Sequence, residues 1–113
     1  MDNKPALDTV FHALADPTRR AVIQQLSRGT ATVSELARPF DMALPSFMKH
    51  IGVLESSGLI SSKKIGRVRT CRIKPRKMAM AQTWLDEQRA IWEGRADRLA
   101  QYVENLASEE KQE

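Results

Sequence analysis

Two strings decide the fold: Thr32-Val33-Ser34-Glu35-Leu36-Ala37, and further on Leu44-Pro45-Ser46-Phe47-Met48-Lys49-His50-Ile51. The first predicts a short helix. Thr32 with Glu35 forms the Thr-x-x-Glu reciprocal capping pattern, and Ser34 is the alternative cap. Pro39 limits its length, and a turn follows over 40–43. The second string opens a helix from about Leu44 to Ser57. Phe47, Ile51 and Leu54 recur there at i, i+4, i+7 and mark its buried face. Gly58 ends it. Two helices joined by a short turn make a helix-turn-helix.

Upstream, Leu7, Val10, Phe11 and Leu14 follow helical spacing and predict a helix over 7–15. Asp16 is a good N-cap and Pro17 suits a first helical position, so a second helix is expected from Pro17 to about Ser27. Its apolar side is Ala21, Val22, Ile23 and Leu26, and Gly29 stands where a left-handed residue closes a helix. Downstream, 59–62 and 68–73 predict two short strands. Lys63-Lys64-Ile65-Gly66-Arg67 is the hairpin tip between them, and Pro75 closes the hairpin. A long helix is expected from about Met78 to Leu106, spanning roughly 40 Å. Leu85, Trp92, Leu99 and Leu106 recur every seven residues along it, and Trp84, Ile91, Tyr102 and Val103 widen the stripe. A lone helix cannot hide that stripe, so it packs on the domain, on a partner, or on both. The fold class is mainly α with a small β-hairpin: a winged helix-turn-helix with a long C-terminal dimerisation helix.

A chain of 113 residues fits one domain, expected over 1–106, with the polar stretch 107–113 as a disordered tail. No apolar run is long enough to span a membrane, and Met1-Asp2-Asn3-Lys4 lacks the character of a signal peptide. The expected location is the cytoplasm. Cys71 is the single cysteine, so no internal disulfide forms. It reads as a small strand residue, with a redox switch as the alternative. His12 and His50 stand far apart with no thiol or acidic cluster beside them, so no transition-metal site is visible. No nucleophile–base pair, paired carboxylates or glycine-rich phosphate loop appears, so neither an enzyme nor a cofactor is expected.

Net charge is +4, and its distribution matters more than its sum. Between Glu55 and Asp86 there is no acidic residue, while Lys63, Lys64, Arg67, Arg69, Arg72, Lys74, Arg76 and Lys77 fall in that stretch. A one-sign patch on a small domain attracts polyanions. The second helix of a helix-turn-helix enters the major groove of DNA, and a basic hairpin after it reaches the backbone or the minor groove. Lys49 can donate to guanine or phosphate, and Ser46 can reach base or backbone. Lys63, Lys64, Arg67 and Arg69 are the wing's candidate backbone contacts.

These strings together resemble the ArsR family of small dimeric winged-helix repressors, over roughly 7–106. The carriers are Ala13-Leu14-Ala15-Asp16-Pro17-Thr18-Arg19-Arg20, Glu35-Leu36-Ala37, Leu44 to Ile51, Leu54-Glu55-Ser56-Ser57-Gly58-Leu59-Ile60, and Gly66-Arg67. Trp84-Leu85 and Ile91-Trp92-Glu93 resemble a metal-independent branch. The resemblance implies repression by operator occlusion: a homodimer on an inverted-repeat operator in double-stranded DNA. Metal-sensing branches carry a Cys-x-Cys type motif in the third helix or Asp/His ligands in the last. Here the third-helix stretch is Glu35 to Phe40 and the last helix has no histidine. His50 matches the family's recognition-helix histidine, which implies a phosphate or base contact; a satisfied, half-buried histidine is the alternative. Met48 replaces a small polar residue, and it either meets a thymine methyl or turns inward. The expected dimer interface is Leu7, Val10 and Phe11 of the first helix with Trp84, Ile91, Leu99, Tyr102 and Val103 of the last. A winged-helix protein-interaction scaffold is the competing reading. No effector is identified by the sequence.

Overall fold

The computed structural model describes residues 4–112. Met1–Asn3, part of the stretch read above for a signal peptide, and Glu113 lie outside them. The elements are α1 (Lys4–Leu14), α2 (Pro17–Leu26), β1 (Ala31–Thr32), α3 (Val33–Ala37), α4 (Leu44–Ser56), β2 (Ile60–Ile65), β3 (Val68–Ile73) and α5 (Pro75–Gln112). The architecture is a winged helix-turn-helix with a long C-terminal helix. Two compact units divide the chain, one ending at Ala81 and the other beginning at Gln82. The reason lies in the side chains: Ala81 is the last buried residue among those described.

Local chemistry sets the helix starts. The Asp16 carboxylate accepts from the Arg19 N–H at 3.1 Å, and Pro17 fills the first position of α2, where no N–H is needed. At α3, Thr32 Oγ1 accepts from the Glu35 N–H at 3.1 Å while Glu35 Oε1 accepts from the Thr32 hydroxyl at 3.0 Å and its N–H at 3.4 Å. Thr32 is thus the cap, and Ser34 is left exposed.

The sheet has order β1-β3-β2 and is antiparallel. Ala31 pairs with Cys71 and Thr32 with Thr70, which adds a third strand to the expected hairpin. Two residues are too few to show alternation, so β1 has no signature in sequence. The wing strands are also longer than expected. Pairing continues from Ile60↔Ile73 to Ile65↔Val68, so Lys63, Lys64 and Ile65 are strand residues and only Gly66-Arg67 forms the loop. Gly66 has φ +63°, and among the described residues only glycines have a positive φ, which is the pattern of a type II′ turn with glycine first.

One core holds the first unit together. Val10 and Ala13 of α1 meet Val22, Ile23 and Leu26 of α2, Leu36 of α3, and Phe47, Ile51 and Leu54 of α4, with Leu59, Ile60, Cys71 and Ala81 closing it. Val10 is 0% exposed, which removes it from the expected dimer interface. It and Ala13, three residues apart on a helix of only 11, form the one face α1 has to bury. Phe11 packs against the same core, and Leu7 is half-buried.

Helix α5 starts at Pro75, earlier than expected, because proline belongs in a first turn as readily as at the end of a hairpin. It also continues through 107–112. That stretch has no glycine or proline to stop it.

Candidate nucleic-acid interface

Helix α4 buries Phe47, Ile51 and Leu54 and thereby turns Ser46 and Lys49 outward, where both are exposed. Met48 turns partly inward, packing against the core, and its remaining surface borders a cleft between α4 and the wing. This cleft has a volume of about 530 Å³. Leu44 and Met48 line it from α4, and Lys64, Arg67, Val68 and Arg69 from the wing, with Thr32, Val33 and Ser34 beside them.

Strand alternation splits the basic patch. Lys64 and Arg69 are paired across the hairpin and border the α4 cleft, whereas Lys63 pairs with Thr70 and lines a second depression with Ser61 and Arg72. Lys63, Lys64 and Arg67 are exposed, and none makes an ion pair with a described residue. Arg69 is half-buried and already engaged: its Nη1 donates to Ser62 Oγ at 2.8 Å, and the Ser62 hydroxyl donates in turn to Glu55 Oε1. The chain of bonds runs from the end of α4 through β2 to β3. Behind it, Cys71 is fully buried, and burial with the Glu55 charge pushes its thiol upward against the opposing pull of Arg69.

His50 points away from the exposed side of α4. Its Nδ1 lies 3.1 Å from Arg19 Nη1 and 3.7 Å from Asp16 Oδ2. With the proton on Nε2, Nδ1 accepts from the guanidinium. The same Arg19 donates from Nε to the Ala13 carbonyl at 2.7 Å and from Nη2 to the His12 carbonyl at 3.1 Å. Arg20 Nη1 donates to the Leu14 carbonyl at 2.9 Å. The Arg19-Arg20 pair therefore satisfies the last carbonyls of α1. Desolvation raises the Asp16 carboxyl, but the Arg19 N–H, the nearby His50 and Arg19 side chains and the Thr18 N–H outweigh it and hold the group below its ordinary value. These structural roles went unread in the sequence, although two arginines just past a helix end are a usable signal.

In the second unit, Trp84, Leu85, Ile91, Trp92, Leu99, Tyr102, Val103 and Leu106 are all exposed. At 3.6 residues per turn they occupy about a third of the helix circumference. Among the described residues, no group of three or more His, Cys, Asp or Glu could hold a metal ion. No described helix is long and apolar enough to cross a membrane.

Comparison with known proteins places this geometry. Residues 14–62 match a family described as a helix-turn-helix domain. The arsenical resistance operon repressor of Escherichia coli is 31% identical over 99 residues, covering 87% of this chain and 82% of that protein. A crystal structure of an ArsR family transcriptional regulator is 60% identical, with TM-score 0.79 over 81% of this chain and 95% of the other. A homodimeric winged helix-turn-helix DNA-binding domain from Mycobacterium bovis is 26% identical, with TM-score 0.60 over 78% of this chain and 89% of the other. These relatives are a repressor, a transcriptional regulator and a DNA-binding domain. With its helix-turn-helix, its basic wing and these identities over most of its length, the chain belongs to the ArsR family of DNA-binding transcriptional regulators.

Proposed function

We infer that the protein is a sequence-specific repressor that acts by occluding an inverted-repeat operator as a homodimer. The observation that carries this is the surface around α4. Exposed Ser46 and Lys49 stand on the helix, and across the cleft stand Lys64 and Arg67, free of ion pairs. A helix with outward polar side chains can read base edges while wing cations hold phosphates. The reading gives Ser46, Lys49 and Met48 base or groove contacts, and Lys63, Lys64 and Arg67 backbone contacts. His50 and Arg69 serve by holding α4 and the wing in place. The exposed face of α5 supports dimerisation through Trp84, Ile91, Leu99, Tyr102 and Val103, and the homodimeric structural relative supports it further. A two-fold dimer then presents two copies of α4 to two half-sites. The reading includes no metal trigger, since Glu35 to Phe40 offers no cysteine pair, and it places the protein in the cytoplasm with its operator.

The test is selection of bound duplexes from fragmented genomic DNA, followed by titration across a salt series. The expected result is an inverted-repeat motif whose log affinity falls linearly with log salt. A pool with no shared motif overturns the reading.

A further inference from the structure

Strand pairing places Lys64 directly opposite Arg69, two cations side by side on the face of the wing that borders the α4 cleft. Like charges in that position destabilise a hairpin unless one of them is drawn away. Here one is. Arg69 Nη1 donates to Ser62 Oγ at 2.8 Å, and the Ser62 hydroxyl donates to Glu55 Oε1 near the end of α4. Lys64 is exposed and makes no ion pair with a described residue, whereas Glu55, Ser62 and Arg69 are all half-buried. Glu55 is also the last acidic residue before the acid-free stretch that ends at Asp86. The carboxylate that borders the basic run is therefore committed to the inner cation and leaves the outer one free. Arg72 offers a contrast: its Nε donates to Ser61 Oγ at 3.2 Å, but that exposed bond only joins neighbouring strands. The Arg69 chain leaves the sheet and ends on α4.

We propose that Ser62 is a positioning residue: its hydroxyl is a spacer that sets the separation between α4 and the wing and keeps Arg69 out of the DNA contact. The proposal rests on the reading above that α4 and the wing hold one duplex together. A serine hydroxyl has one proton and accepting lone pairs, so it donates to the carboxylate while it accepts from the guanidinium. Each of the two bonds involves a charged group and is stronger than a neutral one. Without the hydroxyl, guanidinium and carboxylate are left to pair directly, which shortens the link by one oxygen and draws the wing toward α4. Contacts from Ser46 and Lys49 on the helix and from Lys64 and Arg67 on the wing must be met at once on the operator. A changed separation therefore costs the operator fit, whereas a duplex held mainly through phosphates demands less of it. Lys64 faces phosphate, and Arg69 braces the wing.

The experiment uses the full chain and two duplexes, the selected operator and one with its half-site bases exchanged, each titrated across a salt series. Lys64→Ala is expected to lower the slope of log affinity against log salt by about one. Arg69→Gln is expected to leave the slope unchanged and to lower operator affinity about tenfold, with little change on the exchanged duplex. Ser62→Ala is expected to do the same, and Ser62→Thr, which keeps the hydroxyl, to restore the parent affinity. The double variant Ser62→Ala/Arg69→Gln is expected to bind no more weakly than either single variant, because the same link is lost only once. Thermal unfolding verifies the fold of each variant, and Ser62→Ala alone carries the comparison if Arg69→Gln unfolds early. A lowered slope for Arg69→Gln would make Arg69 a phosphate contact and overturns the proposal. So do additive losses in the double variant, and so does lowered thermal stability at unchanged operator affinity, which would make the chain a bond of the fold alone. Each of these leaves the repressor reading standing, whereas equal affinity of the parent protein for both duplexes overturns both.

Discussion

Arg19 Nη1 lies 3.1 Å from His50 Nδ1, so the recognition helix is tied to the guanidinium that also caps the His12 and Ala13 carbonyls. One side chain on α2 therefore fixes the end of α1 and the middle of α4. The placement of α4 against α1 and α2 thus depends on a side chain that α4 does not itself supply.

Removing that side chain strands two carbonyls and one imidazole nitrogen together. Arg19→Ala is expected to cost roughly 2–3 kcal/mol in urea unfolding, since each lost charge-assisted bond is worth more than a neutral one. Arg19→Lys should restore less than half, because an ammonium cannot reproduce the planar fork that spans the three acceptors. Full recovery by lysine would show that charge alone is needed.

Asp16 couples the same cluster to pH. Its folded-state value lies below its ordinary one, so its contribution to stability is fully present above the unfolded value and is lost as pH falls through the folded one. Asp16→Asn keeps a competent N-cap and removes the charge, so its stability deficit should shrink as pH is lowered from roughly 5 to roughly 2. Asp16→Ala loses the cap as well and should cost about 1 kcal/mol even where the deficit of Asp16→Asn has closed. A pH-independent deficit for Asp16→Asn would show that the charge is not what matters.

Which of these features the sequence carries follows from the length over which each signal repeats. Phe47, Ile51 and Leu54 mark the buried side of α4 by period, and so mark Ser46 and Lys49 as outward. Thr32 and Glu35 mark a helix start by spacing. The two-residue strand β1 has no period to show, and its existence depends on Cys71 and Thr70 forty residues away. His50 is ambiguous for the same reason. On α4 alone it could face either way, and its partners Asp16 and Arg19 belong to another helix. The basic run around Lys63 and Lys64 reads as one patch until the register places its members on alternate faces.

Lys49 and Arg67 should fail differently. Lys49→Ala is expected to flatten discrimination between the operator and a variant with its half-site bases exchanged, by about 1–3 kcal/mol. Arg67→Ala should weaken binding to both duplexes alike. Competition titrations with the two duplexes separate these outcomes, and equal effects of both variants on discrimination would undo the assignment of roles.

Cys71 tests whether the wing sheet can sense oxidants. The thiol is fully buried and its ionisation is pushed upward, so little thiolate exists at neutral pH and none is accessible. Native protein should react with iodoacetamide many times more slowly than protein in denaturant, and operator affinity should survive mild peroxide. Rapid native-state alkylation would restore the redox switch as a live reading.

The exposed stripe of α5 makes the strongest demand on a partner. Trp92 is 69% exposed and Leu99 65%, seven residues apart on the same face, and Trp84, Ile91, Tyr102 and Val103 extend that face along the helix. An apolar face this long in water favours association, because covering one large side chain is worth about 1.5–3 kcal/mol. A charge at the centre of such a face must be desolvated in the dimer without a counterion. Trp92→Glu and Leu99→Glu are therefore each expected to shift sedimentation from dimer to monomer at micromolar concentration. Neither residue lies in the first unit, so the fold of the helix-turn-helix should survive in both. Operator binding should then weaken far more than binding to a single half-site, since only the operator uses both copies of α4. Variants that stay dimeric would place the two-fold contact elsewhere, and monomeric variants with undiminished operator affinity would show that one copy of α4 is enough.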